Sequence, residues 1–81
     1  MKIHSFGKLG ELIGRELDIE APPGGCTVAE LRGLLADRYP HAGQELASVS
    51  LRACVDDVIV GEQFPIPPGA AVEFFPPLSG G

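Results

Sequence analysis

One segment of the chain dictates what the remainder must do. Residues 27–40, TVAELRGLLADRYP, carry a complete helix signature. Thr27 and Glu30 have the spacing at which a hydroxyl and a carboxylate cap each other's free amide. Val28, Leu31, Leu34 and Leu35 follow the helical period and form one apolar stripe. Arg38 places a cation in the last turn, where the helix dipole favours it, and Pro40 ends the run. A single helix cannot bury its own stripe, so the rest of the chain has to supply the opposing surface.

That surface is written as short alternating runs. Residues 1–6 read as a first strand. GKLGELIG follows, with Leu9, Leu12 and Ile13 on one face of a short helix and Gly14 suited to a left-handed exit. ELDIEA alternates Leu17, Ile19 and Ala21 with Glu16, Asp18 and Glu20, the pattern of a half-buried strand. APPGGC is a turn. VSLRACV alternates again, with Val49, Leu51, Ala53 and Val55 on one face. Asp56-Asp57 is a turn, VIV a short strand, PIPPGA a second turn and AVEFF the last strand. The order strand, short helix, strand, long helix, then three strands gives an α+β fold. It is a mixed sheet packed on one long helix plus a short helix, the β-grasp or ubiquitin-like arrangement.

Size and charge narrow the function classes. At 81 residues the chain is one domain with a small core. Its formal net charge is −5, with six Lys and Arg among eleven acids, so it lacks the basic face that neutralises phosphates, and no nucleic-acid partner is expected. No apolar run approaches the roughly 20 residues of a membrane span, and MKIHSF lacks the apolar stretch of a signal peptide. The expected location is cytoplasmic. Cys26 and Cys54 form no CxxC pair, and His4 and His41 have no ligand-like spacing, so no metal site is expected. The two thiols are expected to be reduced and structurally ordinary. No phosphate-binding glycine loop and no Ser/Cys–His catalytic set is recognisable.

Alternation also predicts which apolar side chains face away from the helix. Glu73 should point to solvent, so Phe75, two residues on, should share its face. Phe6 falls on the side of Lys2 and His4. Ile59 points opposite to Val58 and Val60. If their strands are neighbours, Phe6, Ile59 and Phe75 form one exposed apolar patch, a surface suited to a partner.

The chain then finishes unusually. Pro76 and Pro77 cannot donate to a sheet and hold φ near the extended polyproline value, so they should stop the last strand and project the chain outward. Residues 1–75 are thus expected to be the folded domain and 76–81 a flexible tail of about 20 Å reach. Leu78 and Ser79 lead to Gly80 and Gly81, which carry no side chain and would fit a narrow tunnel.

At these residues the chain resembles a known family. FGKLGELIG, TVAELRGLLADRYP and PPGAAVEFFPPLSGG are similar to the corresponding segments of the ubiquitin-like sulfur carriers, which include the thiamin-pathway carrier. FFPPLSGG favours the branch formed by the small subunit of molybdopterin synthase. Asp56-Asp57 departs from the Asn-containing turn usual there, and Cys54 replaces a small apolar residue.

The resemblance implies a mechanism. An ATP-using adenylyltransferase of the ubiquitin-activating type would adenylate Gly81, and a sulfur donor protein would convert it to a thiocarboxylate. The tail would then enter the large subunit of molybdopterin synthase and give its sulfur to the molybdopterin dithiolene in molybdenum cofactor biosynthesis. Phe6, Ile59 and Phe75, with tail residues Pro76, Pro77, Leu78 and Ser79, would bind the partners. Gly81, with Gly80, would carry the chemistry. The chain itself would bind no cofactor, would be a non-catalytic, sulfur-donating subunit, and would be monomeric when free. Three alternatives stay open: a carrier for thiamin, cysteine or tRNA thiolation; a ubiquitin-like modifier joined to lysines through Gly81; and a binding module with an inert tail.

Overall fold

The computed structural model describes residues 1–76. Its elements are β1 (Lys2–Ser5), α1 (Gly7–Ile13), β2 (Glu16–Asp18), β3 (Cys26–Thr27), α2 (Val28–Arg38), a 3-10 turn (Pro40–Ala42), α3 (Gly43–Ala47), β4 (Arg52–Val55), β5 (Val58–Val60), β6 (Pro65–Ile66) and β7 (Ala71–Phe75). Five strands form one sheet in the order β2-β1-β7-β4-β5. β1 and β7 are parallel, and every other pairing in that sheet is antiparallel. β3 and β6 form a separate two-stranded ribbon.

The long helix forms as its sequence requires. Thr27 Oγ1 accepts from the Glu30 amide at 3.1 Å, and the Thr27 amide donates to Glu30 Oε1 at 2.8 Å, so both halves of the capping box are present. Val28, Leu31 and Leu35 are buried, and Leu34 is half-buried at the edge of the stripe. They meet Ile3, Val72 and Phe74 from the two central strands and Ala53 and Val55 from β4. Fully burying one such large side chain contributes about 1.5–3 kcal/mol, so this layer is the main source of stability.

Two glycines are fixed by close approach. Gly10 lies in α1 where an added Cβ would stand 2.5 Å from the Ser5 carbonyl oxygen. Gly25 has φ +88, and its Cβ would fall on the Ile66 carbonyl. The APPGGC turn therefore docks by backbone against β6, a contact only glycine permits.

Several expectations are corrected. Val49 is not on the core face of a strand but 93% exposed, in the turn that precedes β4. Alternation cannot show where a strand begins, and Leu51 is the first residue of that run to reach the core. β1 spans only Lys2–Ser5, and β2 ends at Asp18, although Ile19 just beyond it is buried. The 3-10 turn and α3 carry buried Ala42 and Leu46, too sparse a pattern among Gly and Gln to read as a helix. Pro65–Ile66, expected as turn, pairs with Cys26–Thr27.

Candidate functional site

The face of the sheet opposite α2 can be assembled from the register. One row runs Glu16, His4, Glu73, Cys54, Ile59 across all five strands. The next row places Phe75 beside Arg52. Phe6 lies just past β1, and its amide donates to the Phe74 carbonyl at 3.0 Å, which holds it alongside the end of β7. Phe6 and Phe75 are thus brought together at one end of the sheet. Ile59 lies on the same face but across β4, with Arg52 and Cys54 between it and Phe75. Phe6 is 44% exposed and Ile59 66%, whereas Phe75 is half-buried.

The chain leaves this end of the sheet at Pro76, which is exposed and follows β7 directly. Its ring covers Gly7 at the start of α1, where an added Cβ would stand 3.1 Å from Pro76 Cγ. Gly7 has φ +64, so a side chain there would be strained as well as crowded. The sequence-predicted residues Pro77, Leu78, Ser79, Gly80 and Gly81, and the boundary that assigns 76–81 to a tail, lie outside the described residues.

Cys54 sits in the middle of the outer face yet is only 8% exposed. Burial pushes its thiol pKa up, and the neighbouring Glu73 and Asp57 carboxylates add to this, against a smaller opposing effect of a backbone hydrogen bond at Asp57. The thiol is therefore held protonated and is a poor nucleophile at neutral pH. Because its folded pKa is raised, its contribution to stability is complete below the ordinary thiol range. That contribution falls as pH rises through the raised value, since the unfolded chain ionises first. Cys54 is expected to react with a thiol reagent at pH 7 at least about tenfold more slowly than an unfolded-chain thiol. Cys54→Ala should remove part of the alkaline loss of stability, which urea titration across the alkaline range would measure.

The turn between β4 and β5 is formed by two aspartates in the left-handed region, Asp56 at φ 48 and Asp57 at φ 71. That is the backbone a two-residue hairpin demands. Asp56 Oδ1 also accepts from the Ala71 amide at 3.4 Å. Among the described residues no group of three or more His, Cys, Asp or Glu is placed to hold a metal ion. No helix among them is long and apolar enough to cross a membrane.

Sequence reasoning missed Arg32. Its guanidinium donates to the carbonyls of Leu46 at 2.7 Å and Ser48 at 3.1 Å, to that of Leu51, and to Glu62 Oε2 at 2.9 Å. It also lies 5.8 Å from the centre of the Phe74 ring. A groove of about 330 Å³ beside it is lined in part by Leu51, Val60 and Glu62, and by none of Phe6, Ile59 or Phe75. With Nη1 and Nη2 donating to three carbonyls and to Glu62, Arg32 is a structural tie, although its buried Nε meets no acceptor among the described residues. Nothing in the periodicity of α2 marks it, because its partners lie 14 to 30 residues away.

Comparison with known proteins places this geometry. The profile of the ThiS family matches residues 3–81. No curated protein sequence matches the chain significantly. Among solved structures, the chain is similar to SAMP1 from Haloferax volcanii, with a TM-score of 0.76 and 21% identity over 99% of this chain and 97% of that one. It is also similar to the Haloferax volcanii HVO 2177 protein, with a TM-score of 0.70 and 21% identity over 99% and 84% of the two chains. At this identity the two structures establish the fold, which is the β-grasp.

Proposed function

The chain belongs to the ThiS family of ubiquitin-like sulfur carriers, and from that premise we propose that Gly81 is its reactive group, carried as a thiocarboxylate. The observation that carries this reading is the reach of the family match. It runs through Gly81, so the Ser-Gly-Gly segment falls inside the matched region and follows within a few residues of β7.

The chemistry explains why such a chain needs partners. A carboxylate resists substitution because its oxygen is a poor leaving group. In the proposed cycle an adenylyltransferase of the ubiquitin-activating type joins the Gly81 carboxylate to AMP and releases pyrophosphate from ATP. A persulfide on a sulfur donor protein then attacks the carbonyl carbon, and AMP departs. A second thiol cleaves the sulfur–sulfur bond, forming a disulfide with the donor and freeing the thiocarboxylate. ATP is used by the partner. This chain supplies a side-chain-free terminus and a docking face, as a covalent group carrier does.

Phe6, Ile59 and Phe75 are the proposed docking residues, with Pro76, Pro77, Leu78 and Ser79 lining the approach. The sheet end that exposes Phe6 and Phe75 is also the end from which Pro76 departs, so a partner gripping the pair would receive the segment that follows. Phe75→Asp is expected to weaken binding to the activating partner by about 10- to 100-fold, the equivalent of losing one buried aromatic anchor. Its melting temperature should fall by only a few degrees, because Phe75 is half-exposed and the new carboxylate faces Arg52. Calorimetric titration and a thermal melt together check this, and an unfolded variant would refute the docking assignment.

The recipient we favour is the large subunit of molybdopterin synthase, with sulfur delivered to the molybdopterin dithiolene. The support is the likeness of FFPPLSGG to that branch. Intact-mass measurement after incubation with the activating partner, ATP and a sulfur donor tests the carrier chemistry. A gain of about 16 Da, one oxygen exchanged for sulfur, is expected of such a carrier. Adding the large subunit and the dithiolene precursor should return the original mass. Ladders of heavier conjugates without that gain would instead identify a protein modifier.

A further inference from the structure

The open edge of the main sheet offers a second kind of interaction. β5 is a terminal strand, and Val58 and Ile59 on it are 62% and 66% exposed. The direction of its backbone groups follows from the hairpin. A two-residue turn at Asp56-Asp57 makes Val55 and Val58 the closing hydrogen-bonded pair, so the next pair, Cys54 and Ile59, is not hydrogen-bonded to each other. The other side of β4 agrees. Cys54 is paired with Glu73, and the following bond on that side is the Asp56 amide to the Ala71 carbonyl at 3.1 Å. The Ile59 N–H and C=O therefore point away from the sheet, at an edge that no described strand covers.

The two edges of this sheet are treated differently. At the opposite edge β2 is Glu16-Leu17-Asp18, with exposed charges on both sides of its one apolar residue. Such charges are how sheet edges ordinarily block further pairing. β5 is Val58-Ile59-Val60, with no charge within it. Its charges stand at the two ends instead: Asp56 and Asp57 before it and Glu62 after it, all exposed, with Glu62 sharing its charge with Arg32 at 2.9 Å.

We infer that β5 is a strand-addition site for an extended segment of a partner protein, apolar at its centre and carrying Lys or Arg toward its ends. The charge pattern selects this occupant over a second copy of the chain. Antiparallel pairing of two β5 strands centred on Ile59 would set Asp56 of each against Glu62 of the other, and like charges placed opposite each other destabilise a pair. The formal net charge of −5 opposes self-association further. A basic-flanked strand meets the same acids as counterions, gains the Ile59 backbone bonds and covers Val58 and Ile59. The inference does not depend on the fate of Gly81 and holds for a carrier or a modifier alike.

The test uses the full chain, isotope-labelled for NMR, and a capped peptide Lys-Lys-Val-Thr-Val-Lys-Lys. The Ile59 amide should shift and gain protection from hydrogen exchange as peptide is added, and the response should weaken at high salt. A peptide with Glu in place of Lys, and one N-methylated at its central residue, should leave β5 unchanged. Ile59→Pro, which removes the outward N–H without touching the β4 ladder, should abolish the peptide-induced shifts of the neighbouring Val58 and Val60 amides, which accompany the Ile59 response in the wild type, and retain the wild-type melt. The N-methylated peptide makes the same point without altering the protein. No response at Ile59, an equal response to the Glu peptide, shifts confined to Phe6 and Phe75, or sedimentation as a dimer that Ile59→Pro dissociates would each overturn the inference.

Discussion

Gly81→Ala should lose sulfur loading by about 100-fold or more while its melting temperature stays at the wild-type value. The reacting carbon in the proposed cycle belongs to the residue that is changed, and an added methyl group displaces it within a site shaped for a backbone without side chains. Misplacement of reacting atoms by about 1 Å is enough for a loss of that size. Stability should not respond, because among the described residues the buried core ends at Phe74. Intact mass over a time course of adenylation and sulfur transfer gives the rates. Gly80→Ala should be affected in the same direction, and docking measured by calorimetry should stay within about twofold for both, since Phe6, Ile59 and Phe75 are untouched. Wild-type loading of Gly81→Ala would remove the reason for a diglycine and, with it, the proposed reactive group.

The largest effect on stability is expected at Arg32. Replacement by Ala removes the Arg32 donor from the carbonyls of Leu46, Ser48 and Leu51, of which Ser48 keeps the Leu51 amide at 3.2 Å, and removes a cation from the face of Phe74. A buried acceptor stripped of its partner costs about 1–3 kcal/mol. Water can enter beside a side chain that is 12% exposed and relieve part of that, so about 2–4 kcal/mol is expected in total. A domain of this length has roughly 4–12 kcal/mol to lose, so the variant should melt about 10–25 °C lower. Urea unfolding should show the change in midpoint with the slope unaltered. Glu62→Gln should cost less than about 1 kcal/mol, because the Glu62 end of the ion pair is 49% exposed and well screened. Equal effects of the two substitutions would show that the ion pair, and not the carbonyl cluster, ties α2 to the loop before β4.

Much of this architecture was legible in advance, and the reason is local. The capping box at Thr27 and Glu30 acts over three residues, and both of its hydrogen bonds are present. The alternation in AVEFF put Val72 and Phe74 on the buried face and left Phe75 partly outside. Phe6 falls on the outer face as the polarity of Lys2 and His4 indicated, and Ile59 falls there by alternation against Val58 and Val60. The reading failed where burial has no period behind it. Val49 looks like the next member of an alternating run but sits before the chain turns into the sheet. α3 rests on Leu46 alone, and the β3–β6 ribbon joins segments about forty residues apart.

The amino-acid sequence alone settled the helix stripe and the faces of the first and last strands, since each depends on neighbours within a few positions. Tertiary structure decided what stands beside what. It set Phe6 alongside the end of β7, which carries Phe75, but Ile59 two strands from that strand, folded Arg32 onto three distant carbonyls, and left one sheet edge bare and the other charged. Those outcomes depend on strand order and register, which arise when remote segments compete to bury the same apolar surface, and no local spacing records which of them wins.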